Sequence, residues 1–271
     1  MTSYEHDSSK LAKDYDRLSD TQFQSGKGLV ERMRLQAGAR VLDVGCGTGR
    51  LAEWIAERMG PSGQVVGVDP LAKRIALARE RVPGVRFHIG YAEDLSAFAD
   101  GSFDGVCMSA VFHWITDQAK ALAESARVLR SGGKLGFTTL PKELHAASTM
   151  SKVLGSVFAQ PAYRGRLRLE KFALAHQRST VTEIITMVLA AGLDLAELHV
   201  MERVQPMANT RELIDFMEAS SFGNFLSAIP EDLHDTFRAD FECAALAAHQ
   251  DSEGLATRDY GAMIVARKPG G

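Results

Sequence analysis

Asp43-Val44-Gly45-Cys46-Gly47-Thr48-Gly49-Arg50 sets one carboxylate and three alternating glycines between a β-branched apolar run and the first turn of a helical pattern. Glycine is needed where the backbone takes positive φ or where a ligand approaches the main chain closely. Helix-start amides, aided by the helix dipole, then offer donors to that ligand. The spacing is Gly45-x-Gly47-x-Gly49, and Arg50 occupies the place where a G-x-G-x-x-G dinucleotide turn carries its third glycine. The simpler alternative is a strand-turn-helix whose glycines serve packing alone.

Further along stand other residues with chemical reach. Asp69 ends a second apolar run about twenty residues beyond the turn, where an acid accepts both ribose hydroxyls of an adenosine. Pro70 is expected at the first position of the following helix, which makes Asp69 an N-cap as well. Gly90-Tyr91-Ala92-Glu93-Asp94-Leu95 follows a third run and offers two carboxylates, Glu93 and Asp94. Ser109-Ala110-Val111-Phe112-His113-Trp114-Ile115 follows a fourth. His113 is the candidate catalytic group, because an imidazole takes a proton near neutral pH. It could equally bridge backbone groups beneath a bound ligand.

These groups need strands to carry them to one edge. The apolar runs read as strands at Arg40–Val44, Gln64–Val68, Val85–Ile89, Phe103–Met108 and Lys134–Leu140. Helical patterns alternate with them at Arg50–Met59 and Ala119–Leu129, the latter capped by Thr116 and ended by Gly132-Gly133. This alternation predicts an α/β fold with a parallel sheet and helices on both faces, whose ligands sit outside the carboxyl ends of the strands. Residues 1–25 read as a polar lead-in before a helix at Gly26–Gln36. Beyond Pro141 the alternation loosens into helical patches over 141–178. Thr180 and Glu183 form a capping box for a helix that stops at Gly192. Strands are expected at Leu195–Val204 and Tyr260–Arg267, with helical segments between, including one opened by Pro230.

With Asp43 ahead of it, the glycine turn resembles the first motif of the Rossmann-like, class I S-adenosylmethionine (SAM)-dependent methyltransferases. Phe103-Asp104-Gly105-Val106 is similar to that family's D-x-V segment, and Leu129-Arg130-Ser131-Gly132-Gly133 to its L-x-P-G-G, with Ser131 for proline. The resemblance covers roughly residues 15–140. Within the family it looks like the large group that contains the trans-aconitate, malonyl-carrier-protein, ubiquinone/menaquinone and arsenite methyltransferases. It implies a seven-stranded, mostly parallel sheet with an antiparallel last strand, plus an inserted helical cap. One domain would span 1–271, with its core at about 26–140, 179–205 and 258–268 and its cap at 141–178 and 206–252. It implies SAM as cofactor and S-adenosylhomocysteine (SAH) as product. The cofactor site maps onto Tyr15, Gln22, Asp43, Gly45, Cys46, Gly47, Asp69, Pro70, Ala92, Glu93 and Ser109, with Ala92 supporting the adenine and Glu93 holding its exocyclic amine. Tyr15 and Gln22 would belong to a segment folded over the cofactor, or else to a plain arm with anchoring aromatics.

Composition narrows the rest. The chain has 271 residues, net charge -3 and pI about 6.3, so no basic field points to nucleic acid. Cys46, Cys107 and Cys243 lie far apart, which suggests neither a zinc site nor a disulfide framework. The absence of thiols between Cys107 and Cys243 also speaks against arsenite as acceptor. No apolar run is long enough for a bilayer, and Met1–Lys10 lacks a signal-peptide core, so a cytoplasmic protein is expected. The expected partner is a small or medium-sized methyl acceptor, with the chain a monomer or homodimer. His145 and His176 are weaker candidate bases than His113, and Phe158, Tyr163, Phe222 and Phe225 could roof the acceptor or simply fill a core. Two alternatives remain: a SAM-binding module without catalysis, and a nicotinamide-dependent oxidoreductase.

Overall fold

The computed structural model describes residues 4–145, 148–168, 179–248 and 255–270. A seven-stranded sheet runs in the order β3-β2-β1-β4-β5-β7-β6. Its strands are β1 Arg40–Val44, β2 Gln64–Asp69, β3 Arg86–Ile89, β4 Phe103–Met108, β5 Leu129–Thr139, β6 Asp194–Pro206 and β7 Ala256–Arg267. The first five pair in parallel, and β7 runs antiparallel to both β5 and β6. This is the expected mixed sheet.

Period-two patterning sends side chains to opposite faces. Leu42 and Val44 of β1 join one core with Val106, Leu135 and Ile264, while Val41 joins the other with Val65, Cys107 and Val265. The first face is covered by the helix α5 Gln118–Val128 and by Val181–Ala190; the second takes α2 Asp20–Met33, α3 Arg50–Met59 and α4 Ala72–Arg81. A third core, around Phe237, Phe241 and Tyr163, belongs to the helices beyond β5: α7 Thr149–Phe158, Thr210–Ser220 and His234–Ala247.

Several boundaries differ from expectation; β7 starts at Ala256 rather than Tyr260, and α2 ends at Met33 rather than Gln36. The polar lead-in is helical, with α1 Ser9–Leu18 followed at once by α2, which starts at Asp20 rather than Gly26. Leu11, Ala12, Tyr15 and Leu18 fall at helical spacing on one face of α1, and docking of that face folds it. Asp117, not Thr116, caps α5 by accepting the Lys120 amide. Helix α5 stops at Val128, because Leu129-Arg130-Ser131-Gly132-Gly133 is taken into a long β5. The segment after Pro230 opens with a short turn, and its helix begins only at His234. The capping box at Thr180 and Glu183 is present, with both reciprocal bonds.

Candidate functional site

β1, β2 and β4 end side by side, and at their carboxyl edge lies a cavity of ≈ 750 Å³, within the size range of small-molecule pockets. The glycine turn forms its floor. The Gly45 and Cys46 amides both donate to the Val68 carbonyl, at 2.6 and 3.1 Å, which ties the turn to the end of β2. Gly45 has φ 75° and Gly47 φ 53°. A Cβ at Gly45 would stand 2.1 Å from Val111 Cγ2, whereas one at Gly47 would meet nothing within 4 Å, since Gly47 opens on the cavity.

Asp69 is the hinge of the site. Its Oδ2 accepts the Gly47 amide at 2.9 Å and its Oδ1 the Leu71 amide at 2.8 Å. It is therefore not an N-cap: α4 starts at Ala72, with Leu71 at the cap position and Pro70 ahead of the helix. A carboxylate has about four acceptor sites, so each oxygen keeps a lone pair for a hydroxyl from the cavity. Burial raises the Asp69 carboxyl above its usual range, and the Arg74 guanidinium partly offsets this.

Tyr15, Gln22, Pro70, Ala92, Glu93, Ser109 and His113 line the same cavity as Gly45, Gly47 and Asp69. Between the two acidic candidates of the β3 loop the geometry separates roles. Glu93 faces the cavity while its Oε1 accepts the Thr116 amide at 3.2 Å, and Asp94 is exposed and holds the Ser96 amide at 3.1 Å. Gln22 Oε1 is buried without a hydrogen-bond partner, and Ser109 Oγ lies 3.5 Å from the Gln22 carbonyl.

Asp43 and Cys46 do not line the cavity. Cys46 points into the core beside Gly67, where burial pushes its thiol well above the usual value. Asp43 lies beneath the turn, 1% exposed, with Oδ1 3.5 Å from Cys107 Sγ and Oδ2 without a partner. Burial pushes its carboxyl up to about 7; the Cys107 hydrogen bond pulls it back, and the charge of Asp69 adds a smaller push upward. A folded-state value above the unfolded one means the ligand-free protein loses stability as pH rises from about 4 through about 7. A cation seated on the turn favours the ionised form, so the affinity for a cationic ligand should climb over that window and level off above it. Titrating SAM between about pH 5 and 8, with the uncharged thioether SAH as the control, checks this; Asp43→Asn should flatten the SAM profile.

The N-terminal helices close the site from above. Asp16 accepts Thr48 Oγ1 of the turn at 2.5 Å and an Arg81 bond at 2.7 Å, and Arg50 binds Asp20 at 2.6 Å. Arg74 is buried between the rings of Tyr15, 4.5 Å away, and Phe222, 5.0 Å away. It donates to the Ala219 carbonyl at 2.8 Å and pairs with Asp7 at 3.6 Å. Tyr15 and Gln22 thus stand on a docked pair of helices, not on a loose arm.

The far half of the cavity is walled by Leu140, Met150, Leu154, Phe216 and Phe225, with Lys142, Arg203 and Asp259 also in the lining, while Phe222 packs with Leu71, Trp114 and Tyr4 beside the Asp69 turn. Of the aromatics weighed as a roof, Phe222 and Phe225 face the cavity, while Phe158 and Tyr163 pack in the third core, where Tyr163 donates to Asp240 at 2.7 Å. The His145 side chain and His176 lie outside the described residues. His113 is buried and lines the cavity beside Trp114. Sequence reasoning missed Tyr4, Arg74, Arg203 and Asp259. It also missed two backbone signals: Ala110 (φ 57°) and Phe222 (φ 60°) line the cavity in a conformation that costs a side-chain-bearing residue energy.

Does this floor fit SAM, with its ammonium, sulfonium and ribose? The buried acceptors Gln22 Oε1 and Asp43 Oδ2, the spare lone pairs of Asp69 and the open space at Gly47 suit a cationic nucleoside. Residues 42–137 match the Methyltransf_11 family, described as a methyltransferase domain. Over 241 residues the chain is 27% identical to a trans-aconitate 2-methyltransferase of Methylobacterium nodulans, covering 88% of this chain and 89% of that one. Over 124 residues it is 38% identical to an arsenite methyltransferase of Aquipseudomonas alcaligenes, covering 42% of this chain and 36% of the relative. In fold it is similar to geranyl diphosphate C-methyltransferase of Streptomyces coelicolor, solved with S-adenosyl-L-homocysteine, at 14% identity, TM-score 0.55 and coverage of 90% and 78%. These matches support a SAM-dependent methyltransferase of class I with SAM as its cofactor. The trans-aconitate 2-methyltransferases match over 88% and 84% of the chain. The nicotinamide-dependent alternative gains nothing from these matches.

Proposed function

We propose that this methyltransferase acts on a small or medium-sized molecule held in the far half of the cavity, with His113 as its proton acceptor. The cavity carries this reading: one continuous space joins the glycine turn and Asp69 to an apolar wall from the cap helices, with His113 between the two sets in sequence and lining both. Bound SAM supplies a methyl group on a sulfonium, ready for in-line displacement. The chain's task is then positioning and exclusion of water, which can account for several kcal/mol of a barrier.

In this reading Gly45, Gly47 and the main chain at Cys46 cradle the cofactor, and Asp69 holds the ribose with Pro70 beside it. Ala92 and Glu93 hold the adenine. Gln22, Ser109 and Tyr15 enclose the amino-acid end, and Asp43 supplies negative charge from below. In the same reading the core and the cap act as one domain, and the protein works in the cytoplasm.

Incubation with methyl-tritiated SAM and a panel of phenols, amines and carbon acids, with trans-aconitate as an acceptor already ionised, tests the reading through SAH release. For an acceptor that must lose a proton, His113→Gln should lower kcat by roughly 10²-fold while leaving SAH affinity unchanged, as expected for a general base. An unchanged kcat would assign His113 to structure.

A further inference from the structure

We infer that Arg203 is the receptor for a carboxylate on the acceptor, and that the acceptor is a monoanion with an apolar body. The inference rests on the proposed site and names the chemistry of its far half. Arg203 lies on the inner face of β6 and lines the cavity. Among the described residues its guanidinium makes no hydrogen bond and no ion pair within 4.0 Å, and its Nε is buried without a partner. The side chain is half-buried and feels the charge of Asp259 without a hydrogen bond to it, and a guanidinium held this way gains from a ligand that pairs with it directly.

The local backbone is arranged to deliver that charge. Gly261 on β7 bears no side chain, and the Arg203 stem lies across it; a Cβ there would meet Nε at 3.5 Å and Cδ at 3.7 Å. The other cations of the cavity are spoken for or peripheral: Arg74 is fixed by Ala219 and Asp7, and Lys142 is exposed at the rim.

Three features define the ligand. The planar guanidinium fork matches a carboxylate in two parallel bonds. Asp259 stands opposite Arg203 in the strand register without forming a salt bridge, and its negative charge disfavours a dianion or polyanion. The wall beyond is mainly apolar, built by Leu140, Met150, Leu154, Phe216 and Phe225 with Ser148, Ser151 and Asn224 among them, so the rest of the acceptor is largely hydrocarbon or aryl. SAM also carries a carboxylate, and β6 reaches its side of the cavity, where Gln22 Nε2 donates to Gln205 at 3.4 Å. Unchanged SAH affinity on removal of the Arg203 guanidinium is the observation that assigns it to the acceptor.

Calorimetry on the SAH-saturated protein tests this with octanoate, octanamide and trans-aconitate as probes. The wild type should bind octanoate at least tenfold more tightly than octanamide, and more tightly than trans-aconitate. Arg203→Met should bring octanoate and octanamide to near parity, Arg203→Lys should keep part of the preference, and SAH affinity should stay within twofold in both variants. Equal binding of acid and amide by the wild type, no octanoate binding at millimolar concentration, or tighter binding of trans-aconitate would overturn the inference. So would loss of SAH affinity in the variants, which would give Arg203 to the cofactor. Failure of the wild type to bind SAH at all would instead count against the site on which the inference rests.

Discussion

Asp69→Ala should weaken SAM and SAH binding by about 100- to 1000-fold, the largest effect of any single side chain in the site. Its carboxylate already organises the floor by accepting the Gly47 and Leu71 amides, and its remaining lone pairs would take two hydroxyls. Hydrogen bonds to a charged group contribute about 1.5–3 kcal/mol each, and each 1.4 kcal/mol is tenfold in affinity. Asp69→Asn keeps the shape and loses the charge, so it should cost nearer tenfold. Stability should change little in either variant, because the raised carboxyl marks a buried charge that burdens the ligand-free fold. Calorimetric titration paired with thermal unfolding separates the two effects. A melting temperature that collapses together with affinity would mean Asp69 is only a structural brace.

The second large effect is on folding. Gly45→Ala should destabilise the protein by about 2–5 kcal/mol: roughly 1–2 from left-handed backbone and roughly 1–3 from overpacking. The overpacking is specific, since the new Cβ would stand 2.1 Å from Val111 Cγ2. Gly47→Ala is its counterpart. There φ is 53° but nothing lies within 4 Å, so the folded protein should persist at a cost of about 1–2 kcal/mol while the methyl group occupies space over the turn and reduces SAH affinity. Urea unfolding of both variants, with SAH titration of Gly47→Ala, distinguishes packing from ligand approach. Equal destabilisation by the two would show that both glycines serve the backbone alone.

The parallel half of the sheet was legible because strands buried on both faces read as continuous apolar runs, as Val41-Leu42 and Val65-Val66 do. The cofactor floor was legible because glycine spacing and Asp69 are set locally, within one strand-turn-helix-strand unit. The N-terminal helices were not: Ser9–Leu18 is polar, and it is held by Asp7, Asp16 and Asp20 reaching Arg74, Arg81 and Arg50 far along the chain. No local pattern encodes such pairs. Arg203 had a faint signal, an arginine on the half-buried face of an alternating strand. Its meaning depends on Gly261 and Asp259 of a strand more than fifty residues later in sequence. The cap aromatics divided between cavity and core for the same reason, since Phe222 and Tyr163 differ in three-dimensional neighbours rather than in type.

One measurement bears most directly on the account: calorimetric titration of the wild-type protein with SAM, SAH and NAD under the same conditions. The expected result is one site per chain for SAM and SAH with micromolar affinity and no heat from NAD. Binding of NAD, or of none of the three, would contradict the assignment of the Gly45–Gly49 turn and Asp69 to a sulfonium nucleoside.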